Sequence, residues 1–186
     1  MGYQQAIEKA WNTFSSLSAD DKPVSVNLLS DTYTIDPKAK TILSGSCNVP
    51  AKDHISIILL HYLASKLKLK TVPSITGEWV DFNEIAGGAG YYPAFKKRTI
   101  DRILKKYGND PDLIKDSLAR FPGTIADKGD VGIVIRPFEE VAMLITLSKA
   151  DEEFGPGANI LFDKNISKFF CTEDIVVLTE IVAHAI

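Results

Sequence analysis

The chain of 186 residues has 45% hydrophobic and 24% charged residues, a composition typical of a globular protein that can bury a core unaided. Its formal net charge of −3 gives no overall case for nucleic-acid binding, and its longest apolar run, residues 55–63, is too short to span a bilayer. Cys47 and Cys171 are too few and too widely spaced for a disulfide framework, a zinc site or an iron–sulfur ligand set. The length of the chain predicts a single domain over residues 1–186. Because residues 1–17 lack the pattern of a secretory signal, we expect a cytoplasmic protein with reduced thiols.

The first part of the chain is predicted to form a helix followed by short strands. Apolar residues at helical spacing over residues 3–17 indicate an amphipathic helix. Alternation of apolar and polar residues over 24–28 and 32–35 indicates a hairpin, and a third short strand is expected near residues 41–43.

The middle of the chain is predicted to be mainly helical. Asp53 is a suitable N-cap for a helix that is apolar over most of its circumference, so this helix is expected in the centre of the domain. Residues 78–82 alternate like a short strand. Pro93 suits the first position of a helix that ends at Gly108, and another short helix is expected from Pro111.

The C-terminal part is predicted to contain three strands and a last helix. Residues 131–135 and 141–147 indicate paired strands, residues 160–162 a third, and residues 172–183 a helix with Thr172 as its cap. Because strands occur in groups adjacent in sequence, the predicted class is α+β, with an antiparallel or mixed sheet and helices packed mainly on one side.

A glycine-rich turn followed by basic residues is the first candidate site. Such a turn exposes backbone N–H groups at a helix start, which favours an anion. The spacing is not a dinucleotide fingerprint, because Pro93 stands where the third glycine belongs, and no Walker lysine–serine pair follows. In the alternative interpretations, the glycines only bend the chain and the lysines are solvated, or the basic residues form a nucleic-acid surface. The predicted ligand-binding residues are Trp79, Gly87, Gly88, Gly90, Tyr91, Tyr92, Lys96, Lys97 and Arg98.

A set of carboxylates is the second candidate site. The acidic set consists of Asp151, Glu152, Glu153, Asp163, Glu173 and Asp174. If the strands and the last helix pack together, these side chains would converge and suit magnesium or calcium, or divide into an acid and a base. No EF-hand spacing is present, and carboxylates at strand ends and helix starts are also expected for structural reasons. Asp163, which ends an apolar strand, is the residue of most interest.

The histidines do not indicate a metal site. His54 and His61 lie two turns apart on one predicted helix, which is too far for a shared metal, and His184 lies near the end of the chain. The expected role of a histidine on an apolar helix is a core residue with one hydrogen bond. Neither cysteine has the flanking residues of a known thiol nucleophile, so no catalytic residue is predicted.

An ordered series of sequence blocks resembles one protein family. The blocks are LHYL (60–63), GEWVDF (77–82), GGAGYYPAF (87–95), DEEF (151–154), LFD (161–163) and TED (172–174). They are similar to a prokaryotic family catalogued as domain of unknown function 3786, over roughly residue 24 to the end. The resemblance implies an occurrence mainly in anaerobic bacteria and archaea, relatives with a cysteine-rich iron–sulfur segment, and a link to corrinoid methyl-transfer systems.

The chain departs from the family pattern in three places. Residues 148–150 stand where a tryptophan is expected, and Gly155 displaces the proline expected after Phe154. These departures weaken the case for an aromatic-lined site beside Asp151. The chain also lacks a cysteine cluster, so any iron–sulfur role would come from a partner.

The leading hypothesis is a cytoplasmic ligand-binding or accessory protein of anaerobic metabolism. Its pocket would lie between the turn and basic residues of 87–98 and the acidic set. The basic residues would hold an anionic group, and the carboxylates would orient polar groups or a divalent cation. The expected partner is a small anionic ligand, or a corrinoid or iron–sulfur protein. The alternatives are a divalent-metal-dependent enzyme using the same carboxylates and a protein–protein interaction module. The sequence identifies no cofactor, metal or reaction.

Overall fold

The computed structural model describes residues 3–18 and 20–186, which form two antiparallel sheets with helices packed against them. The α+β class predicted from the sequence is therefore confirmed. The order of elements is α1 (Tyr3–Leu17), β1 (Val24–Leu28), β2 (Asp31–Asp36), β3 (Thr41–Ser44), α2 (Asp53–Lys68), β4 (Trp79–Asp81), a 3₁₀ helix (Phe82–Glu84), α3 (Gly88–Arg98), α4 (Ile100–Tyr107), a second 3₁₀ helix (Pro111–Ala119), β5 (Gly123–Ala126), β6 (Val131–Phe138), β7 (Val141–Ser148), β8 (Gly157–Asp163), α5 (Ile166–Phe169) and α6 (Thr172–Ala185).

The smaller sheet joins β1, β2 and β3 in sequence order, which confirms the predicted hairpin and third strand. Its strands alternate buried and exposed residues, as expected for a sheet with one face on the core. The inward residues are Val26, Leu28, Tyr33, Ile35 and Ile42. The turn after β1 is tied to the larger sheet, because the Leu29 N–H donates to the Pro137 carbonyl at 2.8 Å.

The larger sheet has the strand order β4-β8-β7-β6-β5, with every pair antiparallel. Residues 141–145 of the central strand β7 are all buried, so both of its faces are covered. The sequence did not indicate β5, an edge strand with two exposed central residues. Its first residue must be glycine, because a Cβ at Gly123 would lie 2.2 Å from the carbonyl oxygen of Val134.

The helix α2 lies in the centre of the fold, as its apolar circumference predicted. It packs against α1, α5 and α6, and the buried side chains of these helices and of both sheets form one continuous cluster. The Tyr62 ring of α2 stacks on Phe138 of β6, with the ring centroids 4.0 Å apart. This stacking connects α2 directly with the larger sheet.

The region predicted as one helix from Pro93 to Gly108 forms two helices. The helix begins earlier, at Gly88, so Pro93 lies inside α3 rather than at its first position. Thr99 has φ −124° and ψ −71°, outside helical values, and separates α3 from α4. Its hydroxyl donates to the Phe95 carbonyl at 2.7 Å, so the buried hydroxyl at this break has a hydrogen-bond partner within the chain.

Two predicted helix caps are also wrong by one residue. Lys52, and not Asp53, occupies the N-cap of α2, and no side chain caps this helix. Cys171, and not Thr172, occupies the N-cap of α6, because the Thr172 hydroxyl donates instead to the carbonyl of Ala86. Among the described residues, no helix combines the length and apolar character needed to cross a membrane.

Candidate functional site

The glycine-rich turn before α3 is required by the local backbone. Gly87 has φ +79°, a left-handed conformation that favours glycine. A Cβ at Gly88 would lie 1.8 Å from the carbonyl oxygen of Phe82, so the close approach of the two backbones excludes any side chain. A Cβ at Gly90 would meet nothing within 4 Å. Two of the three glycines thus serve the fold, whether or not the turn also binds an anion.

The aromatic residues of the first candidate site have different surroundings. Tyr92 packs on the core, with its ring centroid 6.2 Å from that of Phe95. Tyr91, its neighbour on α3, is 50% exposed. Trp79 is partly buried on β4, where it pairs in register with Asp163 of β8. The two tyrosines therefore do not present one common wall.

The basic residues at the end of α3 are mostly paired within the chain. The Lys96 ammonium lies 2.5 Å from Asp101, and this hydrogen bond raises the pKa of Lys96. Arg98 pairs with Glu180 of α6. Lys97 has no ion pair among the described residues. Of the predicted basic ligand-binding residues, Arg98 is the one that reaches α6.

Two basic residues of α4 donate hydrogen bonds to backbone carbonyls at the C-terminal end of α6. The Arg102 Nε donates to the Ala183 carbonyl at 3.2 Å, and the Lys106 ammonium donates to the Ile186 carbonyl. These carbonyls belong to the last turn of a helix, where partners are lacking and the helix dipole favours cations. A structural role therefore accounts for both residues.

Asp163 is a structural anchor. It is 1% exposed, and its Oδ2 accepts hydrogen bonds from the backbone N–H groups of Thr76 and Gly77 at 2.7 and 2.9 Å. The Thr76 hydroxyl donates to the same oxygen at 2.9 Å, and the Asn165 N–H donates to Oδ1 at 3.0 Å. The carboxylate thus holds the loop before β4 against the end of β8, and its oxygens are occupied by the protein itself.

The acidic residues before β8 lie at the opposite end of that strand from Asp163. A strand of seven residues spans about 20 Å, so Asp151, Glu152 and Glu153 cannot share a site with Asp163. Asp151 Oδ1 accepts the N–H groups of Phe154 and Glu153 at 2.7 and 2.9 Å, and these bonds lower the pKa of Asp151. Asp151 therefore organises an exposed turn.

Asp174 links the start of α6 to the middle of α2. Its carboxylate accepts from His61 Nδ1 at 3.0 and 2.9 Å, so the ring carries its proton on Nδ1 when neutral. The thiol of Cys171 donates to the same carboxylate at 3.2 Å. Burial is the main cause that raises the pKa of Cys171, which disfavours a reactive thiolate. Glu173, between them, is exposed.

The acidic set is therefore not a single cluster. Its members occupy the buried end of β8, an exposed turn at the other end of β8, and the first turn of α6. Within residues 3–18 and 20–186, no three histidine, cysteine or acidic side chains are arranged to hold a metal ion. The predicted convergence of the whole set is wrong, because the length of β8 separates Asp151, Glu152 and Glu153 from Asp163.

A groove with a volume of about 520 Å³ lies along α6, next to the starts of α1 and α2. This volume is within the range of small-molecule sites. Its charged and titratable side chains are Lys52, His54, Arg98, Glu180 and His184. Its other lining residues, mostly apolar, are Tyr3, Ile55, Val177, Ile181 and Ala185. The groove therefore combines cationic and apolar walls.

The groups in the groove are only partly used by the protein. Arg98 is paired with Glu180, and His184 Nδ1 donates to the Glu180 carbonyl at 2.8 Å. The second ring nitrogen of His184 is therefore the acceptor when the ring is neutral. Among the described residues, Lys52 has no ion pair and His54 no side-chain hydrogen bond. Lys52 is also the N-cap of α2, a helix start without a side-chain cap that carries the Asp53 carboxylate in its first turn.

Sequence reasoning included Arg98 but missed the rest of the groove. His54 and His184 are distant in sequence, and neither histidine indicates a site by itself. A usable signal was present in α6, where Val177, Ile181 and Ala185 recur every fourth residue beside Glu180 and His184. That spacing puts an apolar row next to a polar row on one helix face. The pattern could not show which helix would face it.

Taken together, the fold and the groove define an α+β protein with an open groove between helices, lined by cationic and apolar side chains. The chain belongs to the family described as Domain of unknown function (DUF3786), whose profile matches residues 8–185. The resemblance found in the sequence blocks is thus confirmed over nearly the whole chain. Neither a search of curated proteins nor a search of solved structures found a match.

Proposed function

We propose that this chain is a ligand-binding protein that holds a small molecule in the groove along α6. The observation that carries the proposal is the combination of cationic and apolar side chains around one cavity of about 520 Å³. Binding sites for small molecules are commonly concave and apolar with a few polar groups that fix orientation. The groove has both features, and it includes Arg98, one of the residues predicted from the sequence.

The use of charged residues elsewhere supports binding over metal-dependent catalysis. Asp163 and Asp174, the buried carboxylates of the acidic set, are hydrogen-bonded to other groups of the chain. A carboxylate that orients a loop or a histidine in this way serves the fold. Lys52 and His54 instead line the groove without such partners among the described residues. Their availability favours an external ligand.

The wider role within this proposal is that of an accessory protein of anaerobic metabolism. It rests on the expectation, drawn from the resemblance of the sequence blocks, of a link to corrinoid or iron–sulfur methyl-transfer systems. Because the chain has only Cys47 and Cys171, an iron–sulfur cluster would be supplied by a partner protein. A cytoplasmic location, with both cysteines as reduced thiols, is part of this proposal.

A groove-filling variant tests the binding function. Ala185→Trp would place an indole in the groove, whereas Ala94→Trp adds the same side chain on the exposed surface of α3 as a control. A chemically diverse library of small molecules is screened by ligand-observed NMR against the wild type and both variants. We expect hits on the wild type that are lost in Ala185→Trp and kept in Ala94→Trp. Hits that bind all three proteins equally, or no hits on the wild type, would overturn the proposal.

A further inference from the structure

The two kinds of wall in the groove specify a ligand class. We infer that the groove binds an amphiphilic monoanion, meaning an organic carboxylate with an apolar chain. The inference rests on the proposed binding function and adds the chemistry of the ligand to it. Three features of the groove support it. They are an apolar row on α6, a set of cationic side chains, and the Glu180 carboxylate, which already forms an ion pair with Arg98.

The apolar row would hold the chain of the ligand. Val177, Ile181 and Ala185 follow one another at four-residue spacing on α6, and each is only partly buried by the core. From the first to the last, the row extends about 12 Å along the helix. Ile55 of α2 adds apolar surface to the same groove. Burial of an alkyl chain against this row would remove apolar surface from water on both partners.

The cationic groups would hold the charged head. Lys52 and Arg98 line the same groove together with the ring of His54, and Lys52 is the N-cap of α2. Guanidinium and ammonium groups form strong, charge-assisted hydrogen bonds with carboxylates. A helix N-terminus favours a negative charge by its dipole. A neutral or cationic head would not pair with Lys52, and Arg98 would keep Glu180 as its partner.

Glu180 limits the charge of the ligand. It is the carboxylate of the groove lining and is paired with Arg98. An entering carboxylate must share Arg98 with Glu180 or displace it. Glu180 therefore acts as a built-in competitor that weakens anion binding and disfavours a second negative charge beside it. Inorganic phosphate, which has more charge and no apolar part, would gain little from this groove.

A ligand series tests the inference. Octanoate has both a chain and a carboxylate, octanol lacks the charge, acetate lacks the chain, and octylammonium has the opposite charge. Binding of each is measured by NMR titration of the isotope-labelled full chain. We expect octanoate to bind at least about tenfold more tightly than the other three, because only it matches both walls.

Substitutions in the groove locate the binding. Arg98→Gln and Lys52→Gln are each expected to weaken octanoate binding by about tenfold, the effect of losing a hydrogen bond to a charged group. Glu180→Gln is expected to tighten it by about threefold to tenfold, because Arg98 loses its internal partner. Lys97→Gln removes a charge next to Arg98 but outside the groove lining, so it is the matched control and should change nothing.

Several outcomes would overturn the inference. Equal binding of octanol and octanoate would remove the role of the charge, and preferential binding of octylammonium would reverse its sign. Octanoate binding that survives both Arg98→Gln and Lys52→Gln would place the carboxylate elsewhere. If library hits disappear in Ala185→Trp but none is an amphiphilic carboxylate, the ligand class is wrong while the binding function stands. If no compound is blocked by Ala185→Trp, the binding function itself fails.

Discussion

Asp163 and the groove both use charged side chains at the ends of helices and strands, but they differ in what those side chains contact. The Asp163 carboxylate is almost fully buried and receives hydrogen bonds from the loop before β4 and from Asn165. In the groove, Lys52 and His54 face a cavity and lack such partners within the described part of the chain. The first arrangement stabilises the fold, and the second is available for a ligand.

A charged residue beside an apolar segment can therefore have one of two roles: it can stabilise the fold, or it can remain available for a ligand. A buried charge is tolerated where the protein supplies its hydrogen bonds, and removing it leaves its partners unsatisfied. A cation at an uncapped helix start contributes little to folding and is unfavourable with the helix dipole. Substitutions should therefore have large effects on stability at Asp163 and small or even favourable effects in the groove.

The largest effect is expected for Asp163→Ala. Removal of this buried carboxylate leaves the N–H groups of Thr76, Gly77 and Asn165 without their acceptor. We expect a loss of about 3–5 kcal/mol in the free energy of unfolding, measured by chemical denaturation. Asp151→Ala, in the exposed turn at the other end of β8, is the control and should cost less than about 1 kcal/mol. Similar losses in both variants would contradict the structural role of Asp163.

A pair of glycine substitutions tests whether the turn before α3 is fixed by packing. Gly88→Ala places a Cβ 1.8 Å from a backbone oxygen of the 3₁₀ helix, and we expect a loss of about 3 kcal/mol. Gly90→Ala meets open space within the same helix, so the better helix propensity of alanine should raise stability by about 0.5 kcal/mol. Thermal and chemical unfolding of both variants give the comparison. Equal effects would show that Gly88 is not held by the Phe82 backbone.

Most of the fold followed from the periodicity of the sequence. The hairpin of β1 and β2, the central helix α2 and the paired strands β6 and β7 were predicted because their apolar spacing agrees with their burial. The element boundaries were less predictable, since tertiary contacts decide them. Thr172 forms a hydrogen bond with Ala86 instead of capping α6, and Pro93 is accommodated inside α3. No local pattern contains those contacts.

The candidate site was less predictable than the fold. Glycines and lysines around residue 90 indicated an anion site, but the sequence could not show that Lys96 is paired with Asp101. Nor could it show that Arg98 reaches Glu180, 82 positions further along the chain. His54 and His184 come together only because α2 and α6 are neighbours. The residue pattern within one helix predicts which of its faces is apolar and which is polar. The groove depends instead on which helix faces pack next to one another, and no pattern within one helix gives that.

A pH dependence is expected at a third charged cluster, where Glu140 accepts from Tyr62 and Lys66. Burial opposes ionisation of Glu140, but the hydrogen bonds from Lys66 and Tyr62 outweigh it and lower its pKa below the usual 4.5. The unfolded chain therefore binds more protons near that pH than the folded protein does. Glu140 adds stability at neutral pH, and this contribution is lost as the pH falls from 4.5 through the lower folded value.

Glu140→Gln measures that contribution. We expect the variant to be about 1–2 kcal/mol less stable than the wild type at pH 7, with the difference shrinking as the pH falls below 4.5. Urea denaturation at several pH values gives both curves. Glu139→Gln, at the exposed neighbouring position, should show almost no difference at any pH. A difference that grows on acidification would mean that the carboxylate does not gain from its partners in the fold.

A small effect, and again one that raises stability, is expected at the groove. Lys52 occupies the N-cap of α2, where its side chain has no oxygen to accept a backbone N–H and its charge opposes the helix dipole. Lys52→Ser supplies the missing acceptor, so we expect the free energy of unfolding to rise by about 0.5–1 kcal/mol. Lys70→Ser, at an exposed bend just after α2, is the matched control and should change it by less than about 0.5 kcal/mol. If Lys52→Ser is stabilised and also loses octanoate binding, the position is set by ligand recognition at the expense of helix stability. If it is destabilised, Lys52 supports the fold after all, and the contrast with Asp163 does not hold.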